Sequence, residues 1–427
     1  MSNKETLQTY NERLDVNNLT LDSILDTINN LPEASGGESF VIEDCSALFK
    51  NGTRIDQFEL LLPYINGTKN AQEMFSAIPS TVKPENFNDL LSQFDSSNVT
   101  NMANMFSNGT SAHGLPLSNL DTSNVTNMNS MFRTTSPVDG VTMSSFDFSN
   151  FNTENVTDMG NMFAYFYASG ELDISNFSSK TTVDMTEMFY YAQYITNLKL
   201  GPLKPSRLYS TFNSMGTHTG STGLTLDISK LDTSECTSLY QTFHSNNLSS
   251  LDIRNFDTSN VTTMQGTFDG GNKLTTISIS DKFVTNNVTT MQIMFRDCYV
   301  LESFDFSNFN TEKVTSTQYM FQNCRAFKVL DLSSFKTPVV KNMYGMFQNC
   351  YLLEELDISN FDFTNTTNFT NMFNNCGTQT SDGLTKVYVK DETAQNWILT
   401  KSNGRPSAWS AANVIIAGSD ADLRGSE

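Results

Sequence analysis

The amino-acid sequence predicts an α/β solenoid of about a dozen units of roughly 26 residues, each a short strand, a turn and a short helix. Three observations predict it. A Met-Phe or Thr-Phe step recurs along the chain, with closing phenylalanines at Phe106, Phe132, Phe163, Phe189, Phe212, Phe243, Phe268, Phe295, Phe321, Phe347 and Phe373. Ahead of each step the same wording returns, as in residues 248–268, LSSLDIRNFDTSNVTTMQGTF. The apolar residues are dominated by 32 Phe and 19 Met, and these fill the periodic positions. A unit this short buries too little apolar surface to fold alone, so each must share a core with its neighbours.

Charge narrows the partners. The 427 residues carry a net charge of −20, a field that repels phosphate backbones, so nucleic acid is not an expected partner. No apolar run reaches membrane-spanning length, and no membrane insertion is expected. The start, MSNKETLQTYNE, shows no basic-plus-apolar secretion signal, and the end, GSDADLRGSE, no wall anchor or lipidation motif.

The first segment, residues 1–35, differs from the repeats. Leu7, Tyr10, Leu14, Leu21, Ile24, Ile28 and Leu31 follow a heptad spacing with Asn17 in the polar slot. They predict a helical docking or homo-oligomerisation segment; two helices broken at Asn17-Asn18 is the competing reading. Residues 36–89 read as degenerate repeats forming an N-terminal cap.

Residues 90–383 are the solenoid proper. Leu251 and Ile253 alternate with Ser250, Asp252 and Arg254, the pattern of a strand with one buried face. Asn255 and Asp257 predict a turn, with Thr258 or Ser259 capping the helix beyond it. Val261, Met264 and Phe268 stand at i, i+3 and i+7, which predicts a helix of about two turns. Strands on one side and wider helices on the other would bend the stack, with strands inside. Longer intervals place extra residues at one phase, near 76–86, 133–143 and 213–223, predicting loops on one edge.

Residues 384–416 leave the pattern. Val387 and Val389 predict a strand, 392–400 with Trp397 a helix, and Val414 to Ile416 a last apolar strip. Together they form a C-terminal cap over an end that would otherwise expose strand edge. Residues 417–427 read as a mobile tail.

Six cysteines occur, and Cys298, Cys324, Cys350 and Cys376 share one repeat position. Their spacing fits no zinc motif, so they read as a column of small buried side chains rather than ligands or disulfides. The histidines are His113, His218 and His244, and no Ser/His/Asp or Cys/His arrangement emerges from their spacing. No phosphate-cradling glycine loop and no HExxH occurs, so an enzyme is not expected.

Two features point to ligands. Asp147, Asp173, Asp227, Asp252, Asp305, Asp331 and Asp357 occupy equivalent positions, mostly with Ser two places later. Stacked in register, such a column repels itself unless something offsets it. One reading is a groove for a polar ligand or a divalent cation such as calcium, the only cofactor considered; the other is local bonding of each Asp to turn amides. Arg254 replaces a serine and can pair with a neighbouring Asp. Tyr165, Phe166 and Tyr167, then Tyr190, Tyr191 and Tyr194, come after closing phenylalanines and predict an aromatic cluster for sugar or protein contacts, or core packing between rungs.

The phrases LDISNFDFTNTTNFTNMFNNC, SNLDTSNVTNMNSMF and LDIRNFDTSNVTTMQGTF resemble BspA-like leucine-rich-repeat surface proteins, and more closely the mycoplasma-type lipoprotein repeat of unknown function. The resemblance covers roughly residues 90–400. It implies an extracellular binding or adhesion role and supplies no catalytic residues. Asn255, succeeded directly by Phe256, departs from the ordinary leucine-rich unit, so the usual asparagine ladder is not implied. The leader resembles N-terminal segments of prophage tail-associated proteins. The resulting expectation is a receptor-binding attachment protein of a phage tail or virion, bound to a host-surface glycan or protein and docked to other virion proteins through 1–35. A bacterial surface adhesin and a purely structural virion part are the alternatives.

Overall fold

The computed structural model describes residues 42–419 and 422, apart from 54, 80–81, 109–114, 135–145, 219–222, 381–384 and 402–403. The chain divides into two units, Met1–Gly170 with Ile174–Thr181 and Glu171–Asp173 with Thr182–Glu427. Each unit is a solenoid of stacked coils paired in parallel. In the first, single bridges run Asp44–Asn70–Asn101–Asn127–Asp158. In the second, they run Ser238–Thr263–Thr290–Ser316–Asn342–Asn368.

One coil of the second unit shows how the sequence folds. Ser250–Asp252 pairs in parallel with Thr276–Ser278 of the next coil, burying Leu251 and leaving its neighbours outside. Ile253 and Phe256 turn inward, both fully buried. The Asn255 amide then donates to the Ile228 and Leu231 carbonyls of the preceding coil at 3.0 Å each. An asparagine ladder therefore does form, despite the departure from the ordinary repeat. Asn176 does the same in the first unit, donating to the Phe148 and Phe151 carbonyls.

Thr258 does not cap a helix. Its buried hydroxyl accepts from the Val284 N–H at 2.8 Å and donates to the Val284 carbonyl at 2.6 Å, tying one coil to the next. Thr233, Thr337 and, in the first unit, Thr122 make the same two bonds to the succeeding coil.

The predicted short helix is the main correction. Residues 265–270 are a run of turns, and Gly266 and Gly270 hold φ of +63° and +72°. Left-handed residues four apart recur at Asn104 and Asn108, Gln241 and Ser245, and Tyr319 and Asn323. No right-handed helix survives two such residues. Alternate N–H groups bond the next coil instead: Met264, Gly266 and Phe268 donate to Thr290, Gln292 and Met294. Those between them close local turns, Thr267 onto Met264 and Asp269 onto Gly266. Both sides of a coil are thus bonded directly to the next, at the spacing of paired strands. The bend expected from wide helices loses its cause.

The periodic phenylalanines are the core. In the first unit Phe49, Phe75, Phe106, Phe132 and Phe163 stack successively, with centroids 5.5 to 5.9 Å apart. In the second, Phe295, Phe321, Phe347 and Phe373 stack at 5.6 to 5.8 Å. Such pairs add about 0.5–1.5 kcal/mol each beyond burial. Beside them run the four cysteines, fully buried and free; Cys298, Cys324 and Cys350 each donate a thiol to a phenylalanine carbonyl of an earlier coil.

The ends close the stacks. In the first unit, helices Phe58–Ile65 and Phe87–Ser92 set Phe58 and Phe87 against Phe75 at 5.2 and 5.5 Å. In the second, Lys386–Val389 pairs with Glu355–Asp357 on one side and Val414–Ile416 on the other. Helix Glu392–Lys401 carries Trp397 onto Phe363 at 4.1 Å, and Trp409 meets Phe373 at 5.1 Å.

Candidate functional site

The aspartate column is bonded largely within each turn. Asp227 accepts from the Ser229 hydroxyl at 2.7 Å, while Asp305, Asp331 and Asp357 each accept from the N–H two residues on at 2.8 to 2.9 Å. The Ser229 hydroxyl and N–H hold Asp227 below the usual carboxylate range, and the Ser307 N–H does so for Asp305. Arg254 takes the serine's place and grips Asp252 of its own turn through Nε at 2.9 Å and a terminal nitrogen at 2.6 Å.

The register holds, but the column is interrupted where other residue types take the aspartate position. Lys199 stands opposite Asp227 and Ser278 opposite Asp252, while Asp331 and Asp357 face each other directly. Asp227, Ser229, Asp252, Arg254 and Asn255 line an open groove of about 530 Å³, so three predicted residues do meet there. Among the described residues no three His, Cys, Asp or Glu side chains converge as a metal ion requires.

The tyrosines fall in different units. Tyr165 and Tyr167 belong to the first, where the Arg133 guanidinium lies 5.4 Å from the Tyr165 ring. Tyr190 and Tyr191 belong to the second and pack on each other at 4.8 Å, while Tyr194 stacks on His218 at 4.0 Å. Phe166 is core. The heptad positions Leu7, Tyr10, Leu14, Asn17, Leu21, Ile24, Ile28 and Leu31 lie outside the described residues, as do most of the loops near 133–143 and part of that near 213–223.

Sequence reasoning missed a column on the turn side. The residue after the closing phenylalanine is His244, Asp269, Arg296, Gln322 and Gln348 on five successive coils. Asp269 is buried and receives Arg296 through two bonds of 2.8 and 2.6 Å. His244 Nδ1 lies 3.1 Å from the same carboxylate, and its Nε2 is 3.0 Å from the Ser245 hydroxyl. Ser, His and Asp thus meet across two coils, an arrangement that linear spacing hid. Beyond them Gln322 donates to Gln348 at 2.7 Å.

One place further along each turn, Asn323 donates to Asp297 at 2.6 Å, Asn349 to Asn323 at 2.8 Å and Asn375 to Asn349 at 2.9 Å. Two places beyond that, the Arg325 guanidinium lies 4.5 Å from the Tyr299 ring and 6.0 Å from the Tyr351 ring. The signal that could have found these ladders is the recurrence of amide and charged residues just after the Met-Phe step.

No helix among the described residues is long and apolar enough to cross a membrane. A search of curated proteins gives no match. Among solved structures, a leucine-rich cell surface protein from Faecalibacterium prausnitzii aligns at 13% identity and TM-score 0.25, over 60% of this chain and 87% of that one. A chain of the mouse RP105/MD-1 complex aligns at 16% identity and TM-score 0.24, over 70% of this chain and 51% of that one. The family described as "Mycoplasma protein of unknown function, DUF285" matches residues 43–146, 140–215, 207–329 and 271–388. Those spans take in most of the chain and coincide with the stacked coils, and the chain belongs to that family.

Proposed function

We propose that this chain is a non-enzymatic attachment protein whose coils present side-chain columns to a host-surface glycan or protein. Its setting in this reading is a phage tail or virion, with residues 1–35 docking it to other virion proteins or to further copies of itself. One observation carries the reading. Backbone groups on both sides of a coil are spent on the neighbouring coils, so the outward face is a set of side chains repeated coil after coil. Solenoids use such surfaces for binding. The virion setting is supported by the leader's likeness to prophage tail-associated segments.

The Ser245–His244–Asp269 arrangement does not favour a hydrolase. Both Asp269 oxygens already accept from Arg296, whose positive charge offsets the carboxylate and weakens its pull on a histidine cation. The Ser245 oxygen lies 2.5 Å from where a side chain on Gly270 would begin, so it rests against the next coil.

The test is binding of the intact chain to host cells and to a glycan array. Saturable binding supports attachment. Its absence, with the chain found in purified virions, gives the structural role instead. Display on the producing bacterium would move the protein to the adhesin class, and turnover of cell-wall or capsule polysaccharide lost in Ser245→Ala would overturn the non-enzymatic reading.

A further inference from the structure

The second unit holds an exposed arginine held by aromatic rings rather than by a carboxylate. Arg325 lies between the Tyr299 and Tyr351 rings of the flanking coils, at 4.5 and 6.0 Å from their centroids. Among the described residues its guanidinium makes neither an ion pair nor a hydrogen bond, in a chain of net charge −20. The other described arginines of this unit are engaged: Arg207 with Asp184, Arg254 with Asp252, Arg296 with Asp269, and Arg405 with carbonyls. Stacking on rings restrains the guanidinium while leaving its in-plane N–H fork open, the geometry that matches a carboxylate.

The same turns carry hydrogen-bonding side chains, one of them the carboxylate of Asp297. The ladder Asp297–Asn323–Asn349 runs along the same turns, each asparagine spending one N–H on the coil before it. Each such amide keeps a second N–H and a second carbonyl lone pair, the donor and acceptor that a hydroxyl needs. The charged groups nearby are Asp297, 3.9 Å from Arg296 and bonded to Asn323, and Lys328 on the same coil as Arg325. A bound peptide would use a free strand edge or an apolar groove. Here the turn backbone up to Asn323 and Asn349 is bonded to adjacent coils, and Phe321 and Phe347 are buried beneath. A densely charged polyanion would be repelled by the whole molecule. A hydroxyl-rich ligand with an isolated carboxylate fits better on both counts.

We propose that Tyr299, Arg325 and Tyr351, with Asn323 and Asn349, form a recognition site for a saccharide bearing a carboxylate. This rests on the attachment reading and gives it a place and a ligand class. The probes are a short oligogalacturonate methyl-esterified at all but one carboxylate, its fully esterified neutral methyl ester and poly-L-glutamate, titrated against the full chain and against Arg325→Gln, Arg325→Lys and Tyr351→Ala. Oligogalacturonate is expected to bind saturably, and the methyl ester about tenfold more weakly, since a charged hydrogen bond is lost. Arg325→Gln should lose a similar factor with its melting temperature unchanged, and Arg325→Lys should recover only part.

Equal binding of ester and acid, or full binding by Arg325→Gln, would overturn the assignment. Poly-L-glutamate binding as well as the sugar would assign the site to acidic peptides instead. Host-cell attachment retained by Arg325→Gln alongside no oligogalacturonate binding by the parent chain would sink this site and leave the attachment reading standing. Loss of all cell attachment by the parent chain, with oligogalacturonate still bound, would do the reverse.

Discussion

Thr233 and Asp257 are joined twice across one step of the stack: the Thr233 hydroxyl accepts from the Asp257 N–H at 2.8 Å and donates to the Asp257 carbonyl at 3.0 Å. Thr233 is 1% exposed, so water cannot replace either bond. Thr233→Val keeps the shape and orphans both backbone groups. Each buried group left unsatisfied costs about 1–3 kcal/mol. The variant should melt well below the parent, and Thr233→Ser, which keeps the oxygen, should sit between. Equal melting temperatures for Thr233→Val and the parent would show that these bonds contribute nothing.

Gly345 offers a steric test. Its φ is +58°, and an added Cβ would lie 2.6 Å from two atoms of the Tyr319 ring. Gly345→Ala combines the left-handed penalty of about 1–2 kcal/mol with displacement of that ring. Tyr319→Ala in the same chain should relieve the steric part and leave the backbone part. A double-mutant cycle with no coupling would rule out the contact.

The thiols should be silent in the native protein. Burial pushes Cys45 and Cys376 up to about 12 and Cys236 up to about 11, and the remaining three are shifted upward as well. Neither thiolate nor access is on offer at neutral pH. Iodoacetamide should label none of the six cysteines in buffer and all six in guanidinium chloride. Labelling in buffer at Cys324 or Cys350 would contradict the buried column.

Acid should weaken the stack. Asp232 and Asp257 are held below the usual carboxylate range by the Ser234 and Ser259 hydroxyls and N–H groups, and Asp362 by Thr364. A depressed folded-state value means stability that is complete above the unfolded value, about 4, and lost as pH falls through the lower folded one. The melting temperature should therefore decline below about pH 4. These carboxylates are solvated, so each effect is small and their number matters more than any one. Asp257→Asn should flatten part of the slope, and an unchanged profile would remove this turn from the account.

How much of this was legible in the sequence depends on the residue. The phenylalanine and cysteine columns come from period alone, because any stack superposes equivalent positions. The strand, helix and strip of residues 386–416 were legible because their periodicities differ from the coils. The helix misreading at Val261, Met264 and Phe268 has a physical cause. Successive turns also bring every third or fourth side chain inward, and a single copy does not reveal a left-handed backbone at Gln241 or Ile293. Only the recurrence of Gly or Asn at those two positions, as in Gly266, Gly270, Asn371 and Asn375, betrays it. His244 and Asp269 stayed hidden because their partnership exists only between coils. Arg325 was passed over because neither tyrosine lies beside it in the chain.

The paired bridges at Thr263, Thr290 and Ser316 bear on how such a chain changes length. Duplicating or deleting one whole unit of the period leaves every column aligned with its neighbours. One stray residue inside a turn rotates all later side chains off their tracks. Growth and shrinkage by complete modules is then the tolerated route, and the number of coils becomes a quantity that gain or loss of whole units can adjust.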